Sequence, residues 1–339
     1  MGAYAIFILQ ILIYSSGTMK TFQELSQAFL LHFNTRPFPD QPSGLYDAAA
    51  HMLGIGGKRL RPVLSLMGNE LFSEIQTDAW KIASSIELFH NFTLIHDDIM
   101  DKAPMRRGSP TVHSKYNESS ALLAGDVMLL QAYDYLNETD PRIGQNLIRL
   151  LNQTGKQVCE GQQLDMDFEK CESVTLTDYL HMIELKTAVL LAVSLQMGAI
   201  VGGADIADQQ NLYAFGKNLG LAYQVQDDWL DAFGDPEKFG KQSGGDIIQN
   251  KKTFLLVKAL ESANPQQKKE IIQLLDKNAM DKVSKMIDLF AACGVGDAAQ
   301  KAQERYLEFA ISHLNDVKVS PERKKPLREL SAYLIQRKF

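Results

Sequence analysis

Two segments of the 339-residue chain, 78–101 and 176–201, are apolar around most of a helical circumference. Such a helix is stable in water only when other elements cover it on every side, so both read as buried central helices. No run alternates apolar and polar residues as a half-buried strand does, and helical periodicity carries the remainder. The spacing predicts helices over 20–34, 42–54, 59–72, 78–101, 118–137, 142–168, 176–201, 207–232, 250–275, 277–291, 295–315 and 320–337. No Ser/Gly-rich linker, low-complexity tract or short repeat divides them. The expectation is an all-α chain in which residues 19–339 form one domain.

Each of two long apolar helices closes on the same pattern, Asp97-Asp98-Ile99-Met100-Asp101 and Asp227-Asp228-Trp229-Leu230-Asp231. The outer aspartates are four apart, so on a helix they share one face, one turn apart. Pro104 follows the first copy and Gly234-Asp235-Pro236 the second, which places both at helix C-termini. Carboxylates there oppose the macrodipole as well as each other. A bound cation relieves both costs, and hard oxygen ligands in sparse supply suit Mg²⁺ bridged to a phosphate.

Cationic segments accompany the acids. Arg106-Arg107-Gly108 follows the first motif, and the guanidinium fork matches phosphate oxygens. After the second come Gly240-Lys241 and Lys251. Gly56-Gly57-Lys58-Arg59-Leu60-Arg61-Pro62 sets Lys58 and Arg61 three apart, a candidate for a second diphosphate without metal. Lys186-Thr187 interrupts a strongly apolar helix, where a buried lysine needs an anionic partner. Any of these segments alone also reads as a basic surface turn or an ordinary helix end.

Composition excludes little beyond this. A net charge of −6 with no long basic run argues against nucleic acid as a partner. Cys159, Cys171 and Cys293 have neither metal-ligand spacing nor a disulfide framework, which fits a reducing cytoplasm. Within residues 1–18 the run from Ala3 to Tyr14 is almost wholly apolar but too short to span a bilayer comfortably, and no basic residue precedes it. Residues 1–18 read as an extension outside the fold in preference to a membrane anchor.

Taken in order, GGKRLRP, DDIMD with RRG close behind, Gly125-Asp126, GQQLD at 161–165, KT at 186–187, QVQDDWLD, and the later GK and lysine resemble the trans-isoprenyl diphosphate synthases. That family includes the farnesyl and geranylgeranyl diphosphate synthases. The resemblance implies a fold of about 10–13 helices around a deep central cavity, homodimerisation, and three Mg²⁺ per active site. By matched position, Asp97 and Asp101 would hold two ions on the allylic diphosphate, supported by Asp98. Asp227 would hold the third, with help from Asp228 and Asp231. Arg106, Lys186, Lys241 and Lys251 resemble the residues that grip the same diphosphate. Lys58, Arg61, His90 and Arg107 resemble the pocket for isopentenyl diphosphate. Gln162, Asp165, Thr187 and Gln224 match positions lining the reaction centre.

The implied reaction is ionisation of the allylic diphosphate, attack by the double bond of isopentenyl diphosphate, and loss of a proton. Product length would depend on the apolar hole behind the first motif. Phe92 and Phe89 precede Asp97 by about 7 and 12 Å along the helix at ~1.5 Å per residue, and Phe92 would act as a floor. Thr93 lacks the second aromatic of many farnesyl synthases, and DDIMD lacks the two-residue insertion seen in many bacterial ones. The pattern favours a C20 product over C15, while both phenylalanines also fit an ordinary core. A longer-chain polyprenyl synthase and a non-catalytic subunit of a heteromeric synthase stand as alternatives. A class I terpene cyclase needs no GGKRLRP, and a ferritin-like oxidase needs a second Glu-x-x-His beside Glu87-Leu88-Phe89-His90, which the chain lacks.

Overall fold

A computed structural model of the chain describes residues 19–33, 37–234, 244–275 and 281–335. Among them the secondary structure is helical apart from a two-stranded hairpin, Met105–Arg106 against Ser109–Pro110. The all-α class is as expected, and most helices fall within one to three residues of their predicted bounds. Residues 1–18, set apart from the fold by their composition, lie outside the described residues.

The prediction over 250–275 needs correction. That stretch contains two helices, Phe254–Ser262 and Pro265–Leu275. Pro265 disfavours helical backbone at the residue before it. Asn264 then caps the second helix: its Oδ1 accepts the Gln267 N–H at 2.9 Å, and Gln267 Oε1 accepts the Asn264 N–H at 3.0 Å. Reciprocal bonds of this kind satisfy two donors that a helix start otherwise leaves open.

The chain falls into two compact units. The first contains residues 1–152, 193–212 and 317–327, and its centre is the Thr77–Met100 helix. Ala79, Ile82, Ala83, Ile86, Leu88 and Phe89 of that helix are buried, as its all-round apolar pattern requires. It packs along the Glu118–Asn137 helix. The Leu60–Glu70 helix meets the Val189–Gly202 helix through glycines, which allow the two backbones to touch. A Cβ on Gly198 would stand 1.9 Å from the Ser65 carbonyl oxygen, and one on Gly68 2.4 Å from that of Leu195. Gly198→Ala is therefore expected to lower stability by about 1–3 kcal/mol, the usual range for overpacking. A denaturant titration showing an unchanged midpoint would contradict that close approach.

The second unit contains residues 153–192, 213–316 and 328–339. Its core includes Tyr179, Met182, Val225, Phe254, Phe290 and Val295. The stretch Leu176–Gly202 is long and apolar enough to cross a membrane by composition, yet 72% of its most apolar window is buried inside the protein. It is a core helix, as the sequence suggested. One turn of it, Glu184–Ala188, widens to π-helical winding. Two other helices press on that turn. A Cβ on Gly161 would lie 2.3 Å from the backbone nitrogen of Lys186, and one on Gly220 2.7 Å from the Ala188 Cα.

Candidate active site

The first aspartate motif ends its helix in a specific way. Asp101 keeps helical backbone, Lys102 turns left-handed at φ 50°, and the Ala103 N–H reaches back to the Asp98 carbonyl at 3.0 Å. The Lys102 N–H meets the Ile99 carbonyl at 3.2 Å, completing a Schellman end before Pro104. Asp97 is half-buried and Asp101, at the helix end, is exposed. Asp98, one position round the helix, points inward and is 2% exposed.

The hairpin that follows explains why Asp98 is buried. Its two-residue turn, Arg107-Gly108, has positive φ at both positions (51° and 77°), as the primed turns of tight hairpins demand. Arg106 on its first strand binds Asp98 through Nε at 2.8 and 2.9 Å and through Nη2 at 2.7 Å, with Asp97 at 3.4 Å. Thr111 anchors the base of the hairpin by donating to the Ala103 carbonyl at 2.8 Å. Asp98 thus positions an arginine and is not turned outward with its neighbours.

Arg107, at the hairpin tip, donates to the carbonyl of Gly56. A Cβ on Gly57 would lie 2.3 Å from the same guanidinium, so the paired glycines of the sequence give this arginine its seat. Arg61 donates to Nε2 of His90 at 3.0 Å. Burial, and then the charges of Arg61, Arg107, Arg106 and Arg59, hold His90 well below the usual imidazole range. The imidazole is neutral near pH 7 and serves Arg61 as an acceptor. Three of the four residues assigned to the isopentenyl diphosphate pocket therefore adjoin one another. Lys58, the fourth, is exposed on the adjoining loop.

Arg59, between Lys58 and Arg61, received no role from sequence reasoning. It is 5% exposed, left-handed at φ 51°, and paired with Glu87 inside the unit. It also donates to the Leu53 carbonyl at 2.9 Å, and Asn91 donates to Glu87 Oε1 at 2.8 Å. Glu87 and Asn91 are four apart on one buried face, a pairing visible in the sequence as two polar residues within an apolar helix.

In the second unit the π turn carries Lys186 and Thr187. The lysine, expected to be buried beside an anion, is half-exposed and finds its partner within the chain, Asp165 Oδ2 at 2.6 Å. Thr187 donates to Gln224 Oε1 at 3.4 Å, and Gln224 Nε2 donates to Asp228 Oδ1 at 3.1 Å. Asp228 is 4% exposed and also accepts from the Tyr179 hydroxyl and, at 2.8 Å, from the Phe254 N–H at a helix start. Burial raises its carboxyl to about 7, against the pull of those three hydrogen bonds. Asp227 and Asp231 are half-buried. The two motifs are alike: the middle aspartate turns inward to fix a neighbour, and the outer pair remains at the more open face. Tyr179 was missed because its partner lies 49 residues away.

Lys251 lies half-buried with Nζ 4.0 Å from Asp246, while Lys241 falls outside the described residues. Buried Gln162 Nε2 has no hydrogen-bond partner among the described residues. An unmade hydrogen bond of that kind costs about 1–3 kcal/mol, so such an atom is expected to meet a ligand or water. Among the described residues no group of three or more His, Cys, Asp or Glu side chains could hold a metal ion by itself. Two outer carboxylates per motif suit a cation that completes its shell with water and phosphate oxygens, as Mg²⁺ does. Phe89 is 2% exposed and belongs to the core, whereas Phe92 is half-buried.

The chain is 38% identical over 300 residues to a geranylgeranyl pyrophosphate synthase of Geoglobus acetivorans, covering 88% of this chain and 92% of that one. A geranylfarnesyl diphosphate synthase of Natronomonas pharaonis is 33% identical over 320 residues, covering 88% and 92%. The crystal structure of a geranylgeranyl pyrophosphate synthase aligns with a TM-score of 0.89 at 41% identity, covering 95% of this chain and all of that one. Residues 42–291 match the polyprenyl synthetase family, and the chain belongs to it.

Proposed function

We propose that the chain transfers an allylic prenyl group to isopentenyl diphosphate, head to tail, and releases a C20 all-trans product. The observation that carries this reading is the placement of Arg61, 3.0 Å from neutral His90, with the charges of Arg106 and Arg107 close by, beside the helix that delivers Asp97 and Asp101. Cations beside paired carboxylates suit two diphosphates, one held by arginine and lysine and one by metal.

Asp97, Asp101 and Asp227 are the residues suited to Mg²⁺, three ions being the family expectation. When bound, the metal neutralises charge that develops on the departing diphosphate. Lys58, Arg61 and Arg107 grip the second diphosphate and set its double bond for attack. Asp98 keeps Arg106 aimed, and the Asp228–Gln224–Thr187 chain orients the Gln224 amide. Lys186 and Lys251 add positive charge to the allylic diphosphate. The diphosphate released in the first step serves as base for the final proton, so no separate base is required.

The C20 length is supported by Phe92, whose ring is held five residues before Asp97. One relative is named for a C20 product and another for a C25 product. A homodimer is supported by Leu122, Leu123 and Leu130 of the Glu118–Asn137 helix, which are 49, 55 and 65% exposed in the single chain. Free Cys159 and Cys171 at the surface fit a reducing cytoplasmic location.

The test incubates the purified full chain with Mg²⁺, labelled isopentenyl diphosphate and, in parallel, C5, C10 and C15 allylic diphosphates, and then sizes the products. A stop at C20, abolished by EDTA, is the expected outcome. Products of C30 and longer would favour the long-chain alternative. No elongation from any primer would overturn the catalytic reading and favour a non-catalytic subunit.

A further inference from the structure

Phe89, Phe92 and His96 stand at i, i+3 and i+7 on one face of the Thr77–Met100 helix, and their rings form a continuous ladder. Phe89 and Phe92 meet edge to face at 5.5 Å between centroids, and Phe92 and His96 do so at 4.9 Å. Both angles, 73° and 75°, match the arrangement that aromatic quadrupoles prefer. The lower rung is immobilised by burial, since Phe89 is 2% exposed.

The upper rung is held from the neighbouring helix. His96 Nε2 donates to the Leu122 carbonyl at 3.1 Å and lies 3.8 Å from Asp126 Oδ1. The imidazole rests on the bare backbone of Gly125, where a Cβ would stand 2.3 Å from Nε2. Gly125 belongs to the Gly-Asp motif that the functional assignment left without a role. Half-buried Phe92 is therefore clamped between two rings that are themselves fixed.

We propose that His96 is a positioning residue for product length, holding the Phe92 ring across the path of the growing chain, with Gly125 as its seat. The inference rests on the reading above that Phe92 limits elongation. His96 acts through Phe92: removing the imidazole frees the phenyl ring to leave its blocking rotamer. Adding a methyl group at Gly125 displaces the imidazole from the other side and has the same effect.

The test sizes the products of wild type, His96→Ala, Gly125→Ala, Phe92→Ala and the double variant His96→Ala/Phe92→Ala, with C15 primer and excess isopentenyl diphosphate. His96→Ala and Gly125→Ala are each expected to raise the ratio of C25-and-longer products to C20 roughly tenfold, the scale of losing one edge-to-face pair. In the Phe92→Ala background His96→Ala is expected to add nothing, because the group it positions is gone. Product length is normalised to the label incorporated, so a general loss of turnover does not mimic the effect. Unchanged C20 in both single variants overturns the inference, as does further lengthening in the double variant. A wild type that elongates nothing overturns the underlying reading instead, and the inference with it.

Discussion

Asp101→Asn is expected to lower turnover by at least about 10²–10³-fold, the loss seen when one preorganised electrostatic contact to the transition state is removed. Asp101 is exposed at the helix end, and exposed substitutions change stability by only about 0.5 kcal/mol. The melting temperature should therefore hold, and raising Mg²⁺ should recover part of the rate. Asp98→Asn separates the roles. That carboxylate is 2% exposed and takes three short contacts from Arg106. Its loss is expected to cost about 1.5–3 kcal/mol, the worth of hydrogen bonds to a charged group, and extra Mg²⁺ should not restore the rate. Turnover across a Mg²⁺ titration, read beside a thermal melt, checks both variants. If Asp101→Asn keeps wild-type turnover, the outer aspartates are not the metal ligands.

Glu87→Ala has the largest expected effect on stability. Glu87 and Arg59 are 3% and 5% exposed and pair inside the first unit. Removing one partner leaves an uncompensated buried charge, which costs about 3–5 kcal/mol. For a chain of this size that is a fall in melting temperature on the order of 10 °C. Arg59 also stands, left-handed, immediately before the Leu60–Glu70 helix, so its pairing with Glu87 fixes the loop bearing Lys58. KM for isopentenyl diphosphate is expected to rise more than that for the allylic primer. A melt within about 2 °C of wild type would show that Arg59 finds another partner.

Local rules made much of the fold legible. The all-round apolar stretches at 78–101 and 176–201 are buried helices because an apolar surface has nowhere else to go. Pro104 placed the end of the first motif helix within a few residues. The break at Asn264-Pro265 was also written locally, as a proline preceded by a capping residue, but the apolar periodicity on either side obscured it. The hairpin at 105–110 has strands of two residues each, too short for any alternation to register.

The site divides in the same way. Which residue types gather was readable from motif spacing, because four-residue spacing on a helix fixes a shared face whatever the surroundings. Which aspartate turns inward was not, since helical geometry separates Asp98 from Asp97 without saying which side meets protein. Packing decided that Asp98 holds Arg106 and that Asp228 takes Tyr179 and the Phe254 N–H. Contacts between distant residues likewise set Asp165 against Lys186, Glu87 against Arg59, and the His96 ring against Gly125. The sequence by itself determined the helices, the metal-type carboxylate pairs and the family. The tertiary structure alone decided the partners of Arg59, Lys186 and Asp228, because short-range periodicity records a residue's face while these pairings depend on segments brought close only by the collapsed core.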